Sequence, residues 1–276
     1  MDTETESAGG LAAAGGGGQP QRCLYCGAEL NPRLYFCPRC ATPYKSPEAV
    51  LPQVRPLQLT DGERLARKAP QVKVLFWSYF AVAVGCGVVV WLAGGEAGFE
   101  LALIVGSLAV VATTCVFAVA YWPSLAVQFR RPGFDQLAGW LAVGAVAPLL
   151  AVNYGYHGLV QWLAGGEQVS LVTYLRDRGM SEGALVLFLC VLPALAEETG
   201  FRGLLQHWLA TALSPRKALV IAAALFTLLH FSVVSAPYIF LLGMLLGWSK
   251  ARTGSLYPAM VAHFAHNLFV VAYPPF

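Results

Sequence analysis

The chain has 276 residues, 57% of them hydrophobic and 12% charged, with a formal net charge of +3. So apolar a composition excludes a soluble globular domain of this size and points to an all-α, polytopic membrane protein. The small net charge, spread over the flanks of apolar runs, excludes a nucleic-acid binder and fits ordinary topology signals.

Residues 1–20 are a Gly/Ala-rich tail that can bury no core and is expected to be disordered. The acidic residues Asp2, Glu4 and Glu6 stand where a signal peptide has a basic region, so no cleaved leader is expected. Residues 21–43 carry Cys23-Leu-Tyr-Cys26 and Cys37-Pro-Arg-Cys40. A single Cys-x-x-Cys suits redox chemistry, whereas two in such short compass suit a tetrahedral structural zinc held by Cys23, Cys26, Cys37 and Cys40. Four thiolates close the zinc shell, so this ribbon holds metal for folding and offers no open position for catalysis. Thiolate ligands need a reducing compartment, which places the N-terminus in the cytosol, where the ribbon is available to a protein partner. Residues 44–73, with Pro47, Pro52, Pro56, Pro70 and a mixed-charge run from Asp61 to Lys68, read as a linker with room for one short interfacial helix.

Residues 74–276 form the membrane domain. Uncharged runs long enough to span fall within 74–95, 101–124, 137–163 and 184–208. The long run after Lys217 is broken at Pro237 into 217–233 and 237–250, and a last run occupies 255–273, giving about seven spans. Arg130, Arg131, Arg216, Lys217, Lys250 and Arg252 follow alternate spans, as the positive-inside rule requires of an N-in, C-out chain. Arg176 and Arg178 are the exception. Cys86, Cys115 and Cys190 lie singly in apolar runs and are expected to be buried free thiols.

The fourth span holds Ala194-Leu-Ala-Glu-Glu-Thr-Gly-Phe-Arg-Gly203. On a helix Glu198 and Arg202 are four apart and can pair, while Glu197 is turned about 100° away and stays unpaired. An unpaired carboxylate in a bilayer costs roughly 2.5–3.5 kcal/mol and persists where it faces a polar cavity. Counting 1.5 Å per residue from the cytosolic helix ends brings Glu197, His230, His263 and Asn267 to similar depths. His263 and Asn267, four apart, share a face; His266 can also point inward, though nothing requires it. A carboxylate and an imidazole beside a water make a general base or a metal-held hydroxide, and a second imidazole with an amide can donate to an oxyanion. A polar packing network or a transporter's proton relay uses the same residue types.

The order Glu197-Glu198-x-x-x-Arg202, Phe226-x-x-x-His230, Thr253-Gly-Ser-Leu-Tyr-Pro-Ala-Met-Val-Ala-His263-x-x-x-Asn267, with Gly243-x-x-x-Gly247 between, resembles the CAAX-protease and bacteriocin-processing family of Abi-type intramembrane endopeptidases. The resemblance covers residues 183–273. It implies an intramembrane endopeptidase acting on peptide or lipidated protein substrates in the lipid bilayer. Glu197 and His230 would activate water, His263 and Asn267 would hold the oxyanion or share a divalent metal, and Glu198 with Arg202 would orient the catalytic helix. The alternative is a non-catalytic scaffold or bacteriocin-immunity protein of the same fold. High Ala, Gly and Val content points to a bacterial inner membrane. The closed four-cysteine set and the proline-rich segment behind it predict a separable module: deleting residues 1–45 should leave the membrane domain folded, with an unchanged thermal melt in detergent, and should remove one bound zinc per chain.

Overall fold

The computed structural model describes residue 29 and residues 61–92, 96–129, 136–164 and 170–274. The chain divides into two compact units, residues 1–56 and 57–276. The tail, the four-cysteine ribbon and residues 44–60 of the expected linker lie outside the described residues. In the second unit the described residues are helical and contain no strand.

Helix α1 runs from Asp61 to Leu92 without a break, although Pro70 lies inside it. This corrects the expected linker, because residues 61–73 belong to the first helix. Leu65 and Val72 pack against the main core cluster, and that packing outweighs the local proline and charge signals. Its 32 residues span about 48 Å, more than the ~30 Å hydrocarbon core, so part of the helix stands outside it. Helix α2 (Glu96–Ala120) packs along it, followed by a short α3 (Trp122–Ala126).

Helices α4 (Gln136–Gly144) and α5 (Val146–Ala164) form one apolar run with a step at Ala145. Pro148 has no N–H for the Gly144 carbonyl, which accounts for the step. Helix α6 (Leu171–Asp177) precedes the central helical run, Glu182–Ala212. That run passes through α7 (Glu182–Val186), a π turn at Leu187–Val191, α8 (Leu192–Glu197), a second π turn at Glu198–Leu205 and α9 (Gln206–Ala212). Helices α10 (Pro215–Leu228), α11 (Ala236–Thr253) and α12 (Tyr257–Ala272) complete the unit.

Among the described residues four helices are long and apolar enough to cross a membrane: 62–92, 100–120, 137–163 and 182–212. The other three expected spans are helical over shorter or more polar stretches. Helix α10 has 14 residues, about 21 Å; α12 has 16, and α11 carries Lys250 and Arg252 in its last turn. Large side chains face outward, as a lipid-embedded protein requires, with Trp91 79% and Trp162 77% exposed. Of the three thiols in the apolar runs only Cys190 is buried; Cys115 is exposed and Cys86 half-buried. The Arg176 exception to the charge pattern is a bidentate ion pair: its Nε and Nη2 donate to the Glu182 carboxylate at 2.6 and 3.0 Å. That carboxylate raises the guanidinium pKa further.

The central run is held by close helix contacts. A Cβ on Gly200 would stand 2.0 Å from the Tyr79 hydroxyl, and one on Gly203 2.7 Å from Leu125. Nothing lies within 4 Å of a Cβ on Gly155. Gly200→Ala should therefore destabilise the fold by roughly 1–3 kcal/mol. Gly155→Ala should leave it unchanged or raise it by up to about 1 kcal/mol, through helix propensity alone. Thermal unfolding in detergent distinguishes the two.

Candidate active site

The second π turn opens at Glu198, immediately after Glu197, in a closely packed stretch. Every residue from Glu198 to Leu205 is buried. π turns of this kind recur at functional sites, because the inserted residue changes the direction in which neighbouring side chains point.

The Glu198 carboxylate is fully enclosed. Its Oε1 accepts from Arg202 Nη1 at 2.8 Å and from His263 Nδ1 at 2.8 Å. Arg202, 1% exposed, also donates from Nη2 to the Gly243 carbonyl at 3.3 Å. Its guanidinium carbon lies 4.3 Å from the centre of the Phe226 ring. A buried arginine is tolerable when carboxylate, carbonyl and aromatic face together replace water. Oε2 of Glu198 is buried and has no hydrogen-bond partner among the described residues.

His263, 3% exposed, spends Nδ1 on Glu198, which leaves Nε2 as its working nitrogen. His230 sits past the last residue of α10, on a turn closed by its own amide bonding to the Thr227 carbonyl at 3.1 Å. The next residue, Phe231, has φ of 49°, an uncommon conformation for a bulky side chain that stops the helix at this point. His230 Nδ1 donates to the Phe226 carbonyl at 2.8 Å, so its Nε2 carries the lone pair. Phe226 is common ground: its ring centre is 4.6 Å from the His230 ring and 6.1 Å from the His263 ring.

Glu197 is placed differently. It is half-buried and, among the described residues, makes no hydrogen bond or ion pair. It lines a cleft of about 100 Å³ with Ser107 and Val110 of α2 and Leu192, Pro193 and Ala196 of α8. That volume admits several waters. The cleft lining includes neither His230 nor His263.

The expected groupings are thus redistributed. Glu198 and Arg202 pair as their spacing allows, and His263 joins them from α12. Asn267 is engaged elsewhere, donating from Nδ2 to the Leu189 carbonyl at 2.9 Å and accepting at Oδ1 from His266 Nδ1 at 2.7 Å. His266, which spacing left optional, is buried and also bonds the Tyr238 hydroxyl through Nε2. Ser107, Tyr238 and Gln206 carry no sequence signal that would have drawn them in. Gln206 donates to the Gly247 carbonyl at 2.9 Å, four residues beyond the carbonyl that Arg202 meets.

For a metal, no group of three or more His, Cys, Asp or Glu side chains converges among the described residues. Glu198 Oε1 and His263 Nδ1 are joined to each other, and Glu198 Oε2 is the buried carboxylate oxygen left without a partner among the described residues.

Residues 180–269 match the family model described as type II CAAX prenyl endopeptidase, Rce1-like. The matched segment runs from the start of the central helical run to α12 and includes Glu197, Glu198, Arg202, His230, His263 and Asn267. It supports the CAAX protease family, and with it intramembrane protease activity in general. No match exists among curated proteins or among solved structures.

The two glutamates should separate in stability. Glu198→Gln removes the charge that Arg202 is buried against and should cost about 3–5 kcal/mol. Glu197→Gln breaks no hydrogen bond and should leave the melting temperature in detergent at or above that of the unmodified chain. Equal losses in both variants would contradict this division.

Proposed function

We propose that the chain is an intramembrane endopeptidase that hydrolyses a peptide bond of a membrane-associated or lipidated substrate. The observation that carries this reading is a carboxylate without a hydrogen bond among the described residues, Glu197, in a cleft with room for several waters, next to the bonded Glu198–Arg202–His263 cluster. A carboxylate without a hydrogen bond inside an apolar helix bundle is retained where it has a reaction to serve.

Water held by Glu197 attacks the scissile carbonyl carbon while its proton passes to the carboxylate. His230 Nε2 is the second basic atom available to that water, with its tautomer set by the Phe226 carbonyl. As the tetrahedral oxyanion forms, His263 in its imidazolium form donates Nε2–H to it while its Nδ1–H is held by Glu198. The carbon–nitrogen bond then breaks, and the proton taken from water is delivered to the leaving amine. Catalytic hydrogen bonds tighten when substrate is seated, which is how the Glu197 cleft and the His230 turn come to act on one bond. The zinc ribbon is read as a cytosolic structural module that binds a protein partner, at the N-terminus of a seven-span, N-in chain of a bacterial inner membrane.

The test is cleavage by the purified chain in liposomes of two quenched fluorescent peptides. One is farnesylated on a cysteine three residues from its C-terminus, and the other is a single-span transmembrane peptide. Glu197→Gln and His230→Ala should each lower kcat by at least about a hundredfold, the scale of losing a general base. Cleavage unaffected by Glu197→Gln would remove the carboxylate from the mechanism, and no cleavage of either peptide would count against the protease reading.

A further inference from the structure

Beside the Glu198 cluster lies a second buried polar chain that the mechanism above leaves unused. It joins three elements: Tyr238 in the first turn of α11, His266 and Asn267 on α12, and the Leu189 carbonyl in the first π turn. Pro193 explains the last member, since it offers no N–H to the carbonyl four residues before it, and that carbonyl is Leu189. Asn267 Nδ2 donates there instead.

Each further atom is then determined in turn. With Nδ2 on a carbonyl, Oδ1 of Asn267 is the atom that faces His266, and an amide oxygen can only accept, so His266 Nδ1 carries the proton. A neutral ring protonated at Nδ1 has its lone pair at Nε2, and the Tyr238 hydroxyl therefore donates to it. All three donors point the same way, from Tyr238 towards the accepting Leu189 carbonyl on the helical run that bears the glutamates. An amide is nearly symmetric in shape, so only such a network decides which of its ends faces which neighbour.

We propose that Tyr238 and His266 are positioning residues that lock the Asn267 amide with its NH2 group towards the glutamate helix, leaving the second N–H of that group to assist His263 at the oxyanion. This rests on the endopeptidase reading for the chemistry, but not for the geometry.

Two measurements test it. In protein labelled with ¹⁵N-histidine, the resonance that disappears in His266→Gln should report a neutral ring protonated at Nδ1, and Tyr238→Phe should move that proton towards Nε2. An Nε2-protonated ring in the unmodified protein overturns the proposal whatever the activity. With whichever peptide is cleaved, Tyr238→Phe should lower kcat about tenfold at unchanged KM, a fraction of the loss from removing an oxyanion donor outright. In an Asn267→Ala background the same change should cost nothing further, because Tyr238 acts only through that amide. A full additional loss there, or an unmodified rate in Tyr238→Phe alone, also overturns it. Absence of any cleavage would tell against the protease reading while the tautomer measurement still decides the relay.

Discussion

One oxygen atom, Glu198 Oε1, is where the helices of this site meet. It receives Arg202 from its own helical run and His263 from α12, and Arg202 continues to the backbone of α11. Glu198 and Arg202 cancel each other's charge in a place from which water is excluded, so the pair is tolerated only because hydrogen bonds and the Phe226 face replace hydration. Neutrality there has a further effect on Glu197. That preceding residue carries the second carboxylate of the site, with a cleft beside it and, among the described residues, no hydrogen bond to hold it.

Much of this local logic can be read from spacing. Glu198 and Arg202 are four apart on one helical run, and a contact within one run needs no knowledge of how helices pack. The choice of partner for His263 could not be read in the same way. Depth along a helix follows from counting residues, but azimuth does not, and a π turn at Glu198 changes azimuth by inserting a residue into the turn. The same gap hid the Asn267 bonds. They depend on the Leu189 carbonyl, 78 residues away, whose α-helical donor position is taken by Pro193. At the other end of the unit, the charged, proline-containing start of α1 looked like linker because the contacts of Leu65 and Val72 that make it helical come from distant chain.

The family match and the geometry answer different questions. The match gathers the motif-bearing residues into one segment, 180–269, and supports peptide-bond hydrolysis within the membrane. The geometry divides them into groups: a bonded cluster at Glu198, an Asn267 amide bonded to His266 and the Leu189 carbonyl, and two groups with atoms to spare, Glu197 and His230. Pre-organised surroundings with a few uncommitted polar atoms are what an active site needs, because reorganisation at the moment of reaction is then small.

The two contacts between the glutamate helix and α11 also restrict how these two helices can move against each other. Arg202 and Gln206, four apart, grip the carbonyls of Gly243 and Gly247, also four apart. Such a pair of grips works like a rack and pinion. Sliding α11 by a fraction of a turn breaks both bonds in buried surroundings, and the next position where both re-form is a whole helical turn away, about 5.4 Å. Small displacements of α11 along its axis are therefore resisted. Its first turn is tied as well, by Tyr238 to His266 on α12, so the helix is pinned to one neighbour at its start and to another in its middle.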